Sequence, residues 1–373
     1  MDADLLSNIE SAQSIRGIPP SEIMIPYPSI RSLLDSQVRR YGDRAFLYIS
    51  ENGENRDVSF NAFFDQVSRC ANFLRREKIE FGDTVSVREA ESYRSLIQLF
   101  GIWAVGGKAR LDGNDSLFPT EAHLFDDALD EEPKSAEIGR KSKLADDCLI
   151  LKNDTGRTVI LSHYNLIVNG MAIAERLIFN DNETLGADAE KIDLLTLAGA
   201  VMTALYTGCR IALGGDESLP REQIRAIFTH HPPNTPMAEC AIVPHSLGRG
   251  KYRSSTITGF FMPELTGFAS FESCASQEEA ELIPVGVPLH PCEMAILDEG
   301  GFELPEGQQG RLVVRGHNVM KGYVADDEAN RHVFADGWFN TGSMAKTWRN
   351  ADGCVSFFVT PHQPDHQSRP PTS

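Results

Sequence analysis

The sequence has few basic residues for its length. Its 373 residues include 35 Lys and Arg against 53 Asp and Glu, a formal net charge of -18 at pH 7. Binding to a phosphate backbone or to an anionic bilayer depends on clustered positive charge, so nucleic acid and membrane surfaces are disfavoured as partners. Long apolar runs are also missing. The most apolar stretch, 194–209, is interrupted by Thr and Gly and falls short of the roughly 20 residues that a membrane span requires, so we expect it to be buried core.

The seven cysteines form no pattern that indicates a disulfide framework or a zinc site. They are scattered, odd in number and include no Cys-x-x-Cys pair, which is typical of a reducing compartment. His230 and His231 precede two prolines without a second ligand cluster nearby in sequence, and we interpret them as a surface turn. The N-terminus is acidic and lacks the cationic and apolar regions of a signal peptide. We therefore expect a cytoplasmic protein.

Helix and strand patterns alternate after the first 28 residues. Apolar residues at helical spacing predict helices at 29–41, 59–78 and 92–105. Short apolar runs predict strands at 45–50 and 84–87. This alternation predicts an α/β body.

Both ends and the last third of the chain differ from this body. Residues 1–28 are polar and contain four prolines, so we expect an extended arm on the surface. Short strands at 293–297 and 311–314, joined by glycine turns, predict a smaller antiparallel unit. The polar end, 359–373, is expected to be disordered. The body is therefore expected to occupy residues 29–358.

One segment has residue types that suit phosphate binding. Residues 153–163 begin with small polar side chains and a glycine, include an Arg, and continue into an apolar stretch. Small side chains allow backbone N–H groups to approach phosphate oxygens, hydroxyls add donors, and a cation balances charge. The segment is not the Gly-x-x-x-x-Gly-Lys-Ser/Thr loop. Taken alone, an ordinary polar loop before a helix is the simpler interpretation.

Several downstream segments follow it in a specific order. They are Gly-Phe-Ala-Ser-Phe-Glu at 267–272, Val-Gly-Val-Pro at 285–288, Gly-Arg-Leu-Val-Val-Arg-Gly at 310–316, Met-Lys-Gly-Tyr at 320–323 and Asp-Gly-Trp-Phe-Asn-Thr-Gly-Ser at 336–343. In these motifs and their order the chain resembles the AMP-forming adenylating superfamily. That superfamily includes acyl-CoA synthetases, luciferases and the adenylation domains of nonribosomal peptide synthetases.

The resemblance implies both a fold and a reaction. The fold is α/β, the large N-terminal domain of an adenylating enzyme, with two stacked α/β sheets and a smaller β-barrel-like unit. In the reaction, a carboxylate attacks the α-phosphate of ATP to form an acyl-adenylate and pyrophosphate, and a thiol then takes the acyl group. The implied ligands are a small-molecule carboxylic acid, ATP, Mg²⁺, and coenzyme A or a carrier protein. Such a chain would be an acid–thiol ligase of lipid or secondary metabolism.

The segment 267–272 matches the family's adenine and metal motif. Glu272 stands at the position of the magnesium-binding glutamate, for which a hard carboxylate oxygen is suitable, and is expected to act in catalysis through that metal. Phe268 and Ala269 are expected to bind the nucleotide, and Phe268 replaces the usual Tyr beside adenine while keeping a stacking face. Phe271 replaces a small hydroxyl residue. Core packing explains these aromatic residues as well as nucleotide contact does.

The remaining family positions carry the phosphate and ribose roles. Thr155, Gly156 and Thr158 are expected to bind the nucleotide, with Arg157 in place of the family's lysine as the catalytic cation. The loop is shorter than the family pattern and should bind pyrophosphate less well. Ser343 stands where an aspartate takes both ribose hydroxyls, so one neutral hydrogen bond replaces two that are assisted by charge.

The family pattern continues beyond residue 358 into a mobile C-terminal domain whose lysine stabilises charge during adenylation. We expect this chain to lack that domain, and losing such a cation costs on the order of 2.7 to 4 kcal/mol in the barrier. Impaired ligase activity is therefore the first hypothesis. The alternative is a non-catalytic homologue that binds a nucleotide, an acyl group or a partner protein. A third is that the end of the chain reflects a wrong exon choice.

Overall fold

The computed structural model describes residues 2–22, 25–51, 54–88, 92–113, 115–135, 140–188, 191–214, 224–230, 238–245, 256–273, 282–349 and 353–360. The α-helices of these residues are α1 (Ala3–Ala12), α2 (Ile30–Tyr41), α3 (Phe60–Arg76), α4 (Ser92–Val105), α5 (Ala122–Asp130), α6 (His163–Leu177), α7 (Met202–Thr207) and α8 (Asp327–Val333). The chain also forms 3₁₀ turns at Pro20–Glu22 and Pro263–Leu265 and a π-helix at Leu195–Val201. No helix of the described residues combines the length and the apolarity that crossing a membrane requires.

Capping side chains fix where the main helices begin. Ser59 Oγ accepts the N–H of Ala62 at 3.1 Å and starts α3. Ser162 and Asn165 form a reciprocal capping box at the start of α6. Such side chains satisfy N–H groups that have no partner within the helix. The helices predicted at 29–41, 59–78 and 92–105 are confirmed as α2, α3 and α4, with boundaries within two residues.

The strands form two main sheets. In chain order they are β1 (Ala45–Glu51), β2 (Glu54–Ser59), β3 (Thr84–Ser86), β4 (Lys108–Arg110), β5 (Asp147–Lys152), β6 (Thr158–Ser162), β7 (Thr184–Asp188), β8 (Arg210–Gly214), β9 (Ile224–Phe228), β10 (Cys240–Pro244), β11 (Thr256–Gly259), β12 (Phe261–Met262), β13 (Gly267–Phe268), β14 (Ser270–Ser273), β15 (Ile283–Pro288), β16 (Cys292–Leu297), β17 (Gly310–Gly316), β18 (Gly322–Tyr323), β19 (Phe334–Ala335), β20 (Trp338–Arg349) and β21 (Val355–Val359). The large sheet has the order β16-β17-β20-β21-β15-β14-β11-β10-β9-β7-β8-β1-β2, and β19 pairs with β20 off this path. The second sheet has the order β18-β6-β5-β4-β3, and β12 pairs with β13.

The middle of the large sheet is parallel and buried. β8, β7, β9, β10 and β11 pair in parallel, and central residues such as Ile211, Ile227 and Ile242 are almost entirely buried. Parallel strands that are covered on both faces are nearly continuous apolar runs. The π-helix Leu195–Val201 packs on β7 and β9, and all of its residues are buried. The prediction that this apolar stretch is core is confirmed over Leu195–Val201.

Helix α4 joins the two sheets into one stack. It contacts β4 of the second sheet and β8 of the large sheet. Trp103 Nε1 donates to the carbonyl oxygen of Cys148 in β5 at 2.7 Å. A Cβ added at Gly101 would lie 2.4 Å from Cys70 Sγ, so glycine permits the close approach of α3 and α4. The expected two stacked α/β sheets are therefore present.

The last third forms the predicted antiparallel unit. β16 pairs antiparallel with β17, β17 with β20, β20 with β21, and β21 with β15. Strands predicted at 293–297 and 311–314 are confirmed as β16 and β17. Val359 belongs to β21, and the Thr360 N–H donates to the carbonyl oxygen of Met344 at 2.9 Å. The expected disorder of 359–373 is therefore wrong for these two residues, and 361–373 lie outside the described residues.

The prediction of an extended arm over residues 1–28 is wrong at its start, where the chain forms α1. Leu5, Ile9 and Ala12 are buried against β17, β19 and β20. Asp2 caps the helix by accepting the Leu5 N–H at 2.9 Å. The spacing of the buried residues, i, i+4 and i+7, is the helical signal. The four prolines of residues 1–28 all lie after this helix and do not interrupt it.

Candidate functional site

The predicted phosphate loop is a tight hairpin that closes around the side chain of Asn153. The hairpin, residues 153–157, joins β5 to β6. Asn153 Oδ1 accepts hydrogen bonds from the Thr155 N–H (3.1 Å), the Thr155 hydroxyl (2.8 Å) and the Arg157 N–H (2.8 Å). The Gly156 N–H donates to the carbonyl oxygen of Asn153 at 2.9 Å. The donors that the sequence assigned to phosphate are thus used within the hairpin.

Arg157 and Thr158, the last two residues predicted to contact the nucleotide, also have partners within the protein. Arg157 Nη1 donates to Thr155 Oγ1 at 3.2 Å, and Arg157 Nε lies 3.5 Å from Asp326 Oδ2. An exposed pair of this kind contributes little, about 0 to 1 kcal/mol, so it does not fix the guanidinium. Thr158 lies in β6 and accepts the Val324 N–H at 2.9 Å through its carbonyl oxygen. Thr158 therefore links β6 to the residue that follows β18, and its backbone is not part of an open phosphate loop.

Glu264 anchors Asn153 from the opposite side. Asn153 Nδ2 donates to Glu264 Oε1 at 2.6 Å, and the Tyr323 hydroxyl donates to the same oxygen at 2.9 Å. Glu264 is 2% exposed, and its Oε2 is buried without a hydrogen-bond partner among the described residues. Burial and then the neighbouring Glu264 raise the pKa of Tyr323, so its hydroxyl remains a donor.

The segment 267–272 is largely core. Phe268 is 1% exposed, and its ring centroid lies 5.0 Å from that of Phe261 and 4.9 Å from that of Phe271. Ala269 is fully buried, and its N–H donates to the carbonyl oxygen of Phe260 at 2.8 Å. The predicted stacking of Phe268 on adenine does not match this packing, because the neighbouring rings already surround it. Core packing, which the sequence left open, is what the structure shows.

Glu272 is more accessible than its neighbours in the segment. It lies in β14 opposite Thr258 of β11 and is half-buried. Across the described ranges no basic side chain forms an ion pair with it, and those ranges hold no group of three or more His, Cys, Asp or Glu that could bind a metal. Mg²⁺ is commonly bound by one or two carboxylates together with substrate phosphates. A single half-buried carboxylate fits that mode.

Ser343 lies in an irregularity of β20. The register between β17 and β20 shifts between Arg311 and Val313, and Gly342, with a φ of 75°, allows the turn of the backbone there. The Ser343 N–H donates to Thr341 Oγ1 at 3.1 Å. Ser343 is half-buried between two exposed residues. Its side chain is thus partly accessible to solvent.

Hydrogen bonds bring some of these segments together. Besides the Asn153–Glu264 contact, the Met320 N–H donates to the carbonyl oxygen of Glu264 at 2.8 Å, and Thr266 Oγ1 donates to that of Asn318 at 2.6 Å. The hairpin, the 3₁₀ turn before the 267–272 segment and the chain leading into β18 therefore meet. No contact within the described part of the chain joins Glu272 or Ser343 to the hairpin.

Sequence reasoning missed Asn153 and Glu264 as site residues. Asn followed by Thr and Gly is a signal for a turn in which the Asn side chain accepts backbone N–H groups. That signal could have predicted the closure of the hairpin. Glu264 lies 111 residues from Asn153 in sequence, and no local pattern indicates their contact.

Comparison with known proteins agrees with the motif order and the two-sheet fold. Residues 245–324 match the family described as AMP-binding enzyme. In this segment the chain is similar to members of the AMP-forming adenylating superfamily. A feruloyl-CoA synthase from Amycolatopsis sp is 28% identical over 255 residues, which cover 59% of this chain and 50% of that protein. The chain therefore spans about half the length of the curated relative it matches.

Solved structures of the superfamily share the fold. The structure of McyG A-PCP complexed with phenylalanyl-adenylate has a TM-score of 0.76 and 16% identity, covering 91% of this chain and 77% of that one. The Klebsiella oxytoca NpsA N-terminal subdomain in complex with 3-hydroxyanthranilyl-AMSN has a TM-score of 0.73 and 16% identity, covering 90% of this chain and 100% of that one. At this identity the likeness shows the fold alone.

Proposed function

We propose that this chain carries the chemistry of an AMP-forming acid–thiol ligase, with an aromatic carboxylic acid as its substrate and with impaired use of ATP. The observation that carries the proposal is the match of residues 245–324 to the AMP-binding enzyme family, within the two-sheet fold. The similarity to a feruloyl-CoA synthase supports an aromatic carboxylic acid as the substrate class. On that basis we propose secondary metabolism rather than lipid metabolism.

Three positions would serve this chemistry. Glu272 would hold Mg²⁺, which neutralises charge on phosphate oxygens when it is bound. Ser343 would donate to or accept from a ribose hydroxyl, and Arg157 would turn from Asp326 towards an anion, since that ion pair is exposed and weak. Coenzyme A or a carrier protein would supply the thiol.

The hairpin does not fit the triphosphate of ATP. Its Thr155, Gly156 and Arg157 N–H groups already donate to Asn153. A triphosphate would have to compete with these short internal hydrogen bonds. We therefore assign the hairpin no role in orienting the β- and γ-phosphates, and this assignment supports the proposal that adenylation is impaired.

The experiment is acid-dependent exchange of labelled pyrophosphate into ATP. A panel should compare hydroxycinnamic, aminobenzoic and hydroxybenzoic acids with fatty acids. We expect slow exchange with an aromatic acid in the wild type and in Glu299→Ala, an exposed acid elsewhere, and no exchange in Glu272→Ala. If no acid exceeds the Glu272→Ala background, the chain is not a ligase of this type.

The closed hairpin favours a second candidate, a non-catalytic homologue that binds an adenylate or an aromatic acid. A ligand that binds only the folded state stabilises it, by about 2.7 kcal/mol at 100 times its Kd. This candidate predicts a higher melting temperature with AMP or an aromatic acid and no exchange with any acid. If neither AMP nor any aromatic acid raises the melting temperature, the non-catalytic candidate is ruled out.

A further inference from the structure

Asn153 occupies the centre of the hairpin in the way that a bound anion oxygen would. One amide oxygen accepts from two backbone N–H groups and one hydroxyl, all within 3.1 Å. An amide oxygen has two lone pairs, so three donors saturate it. The tip of the hairpin is exposed to solvent. An anion could therefore reach these donors if Asn153 did not hold them.

The position of Asn153 is set from the protein interior. Its Nδ2 donates to Glu264 Oε1 at 2.6 Å, and the Tyr323 hydroxyl shares that oxygen. Glu264 is itself fixed, since its carbonyl oxygen accepts the Met320 N–H. Displacing Asn153 would take one of two donors from a buried carboxyl. Asn153 is thus held on both sides of its amide.

We propose that Asn153 is a specificity-determining residue that closes the phosphate hairpin against polyphosphate. The inference rests on the proposed function for the location of the nucleotide at this hairpin. With the hairpin closed, the β- and γ-phosphates of ATP add no binding. The chain then binds AMP at least as tightly as ATP and binds inorganic pyrophosphate weakly.

The wild-type protein itself tests whether the β- and γ-phosphates of ATP add to binding. Calorimetric titrations with AMP, ATP and inorganic pyrophosphate, each with Mg²⁺, should give a Kd for AMP equal to or below that for ATP. A Kd for ATP that is tenfold or more below that for AMP would overturn the inference, because the triphosphate would then be held.

A substitution tests whether Asn153 is the residue that excludes polyphosphate from the hairpin. Asn153→Ala frees the Thr155 and Arg157 N–H groups, and we expect pyrophosphate and ATP to bind about tenfold more tightly while AMP binding is unchanged. Asn180→Ala is the matched control, since Asn180 Oδ1 accepts the Asn182 N–H at 2.9 Å in a separate turn. Because Asn153→Ala leaves Glu264 with one donor fewer, Asn153→Ala with Glu264→Gln is the second variant. Both are compared after their folding is verified by circular dichroism.

The outcomes separate this inference from the proposed function. A gain in pyrophosphate affinity in either Asn153 variant, absent from Asn180→Ala, supports the inference even if no acid gives exchange. If both Asn153 variants fold and neither gains pyrophosphate affinity, or if Asn180→Ala shows an equal gain, the inference is overturned even if exchange depends on Glu272.

Discussion

At the scale of single residues, His230 and Asp193 form a pair that responds to pH. His230 Nε2 contacts Asp193 Oδ2, and Asp193 Oδ1 accepts the Thr196 N–H at 2.8 Å. The hydrogen bond with Asp193 raises the pKa of His230, against the opposing effect of burial. Burial acts to raise the pKa of Asp193, but the hydrogen bonds from His230 and Thr196 outweigh it and lower that pKa. His230 is therefore part of an ion pair, while His231 lies outside the described residues.

We predict that this pair stabilises the fold most between about pH 4 and pH 6.5. A raised His230 pKa gives stability that is present below the ordinary value of about 6.5 and is lost as the pH rises through the folded-state pKa. A lowered Asp193 pKa gives stability that is present above about pH 3.9 and is lost as the pH falls through the folded-state pKa. The melting temperatures of wild type and His230→Gln should differ most near pH 5.5, and the difference should shrink as the pH rises through the folded-state pKa of His230. A difference that grows with rising pH would contradict the assignment.

Gly170 allows α6 and α7 to approach closely. A Cβ at this position would lie 2.6 Å from the Met202 carbonyl carbon and 2.9 Å from the Thr203 nitrogen. We predict that Gly170→Ala destabilises the fold by roughly 1 to 3 kcal/mol in chemical denaturation, because overpacking against backbone outweighs the better helix propensity of Ala, about 1 kcal/mol. Glu175→Ala, on the exposed side of α6, should change stability by less than about 0.5 kcal/mol. Equal stability of the wild type and Gly170→Ala would show that the two helices can separate.

At the scale of elements, α1 attaches the start of the chain to the antiparallel unit. Its apolar stripe packs on β17, β19 and β20, and Asp2 pairs with Arg331 of α8 at 2.9 Å. Beyond the helix, Gln13 Nε2 donates to the carbonyl oxygen of Met320 at 2.8 Å. Met320 in turn donates to Glu264. The N-terminal segment therefore supports the region that holds the hairpin.

Two adjacent leucines of α1 provide a matched test of this packing. Leu5 is 2% exposed and Leu6 is 45% exposed. We predict that Leu5→Ala lowers the free energy of unfolding by about 2 to 4 kcal/mol, and that Leu6→Ala lowers it by less than about 1 kcal/mol. Denaturant titration of both variants measures the difference. Equal effects would mean that α1 is not docked on the sheet.

Local sequence patterns predicted elements better than they predicted the site. Apolar spacing predicted helices α2, α3 and α4. Helices α2 and α3 each bury one apolar face, and α4 is buried over nearly its whole surface. The closed hairpin depends on Asn153 meeting Glu264 across 111 residues, and local periodicity carries no information on such a contact. The burial of Phe268 likewise depends on Phe261 and Phe271, so the residue type alone left two interpretations open.

At the scale of the whole molecule, motif order predicted the architecture. Two α/β sheets stack across α4, and the antiparallel unit continues the large sheet through β15 and β14. The family resemblance supplied this arrangement, because sheet order requires contacts between distant strands. The hairpin, the 267–272 segment and β20 come from three different parts of that architecture. The proposed chemistry requires a nucleotide that contacts Glu272 and Ser343, with the Arg157 side chain near its phosphate.

Calorimetric titration with a sulfamoyl-adenosine analogue of an aromatic acyl-adenylate tests that requirement most directly. If ribose binds at Ser343 as proposed, Ser343→Asp adds a charge-assisted contact worth about 1.5 to 3 kcal/mol, so we predict binding about 10- to 100-fold tighter than in the wild type. Met344→Asp places the same charge on the next residue, which is 40% exposed, and should leave the affinity unchanged. Failure of the analogue to bind any of the three proteins, or equal affinities for Ser343→Asp and Met344→Asp, would contradict an adenylate site at this position.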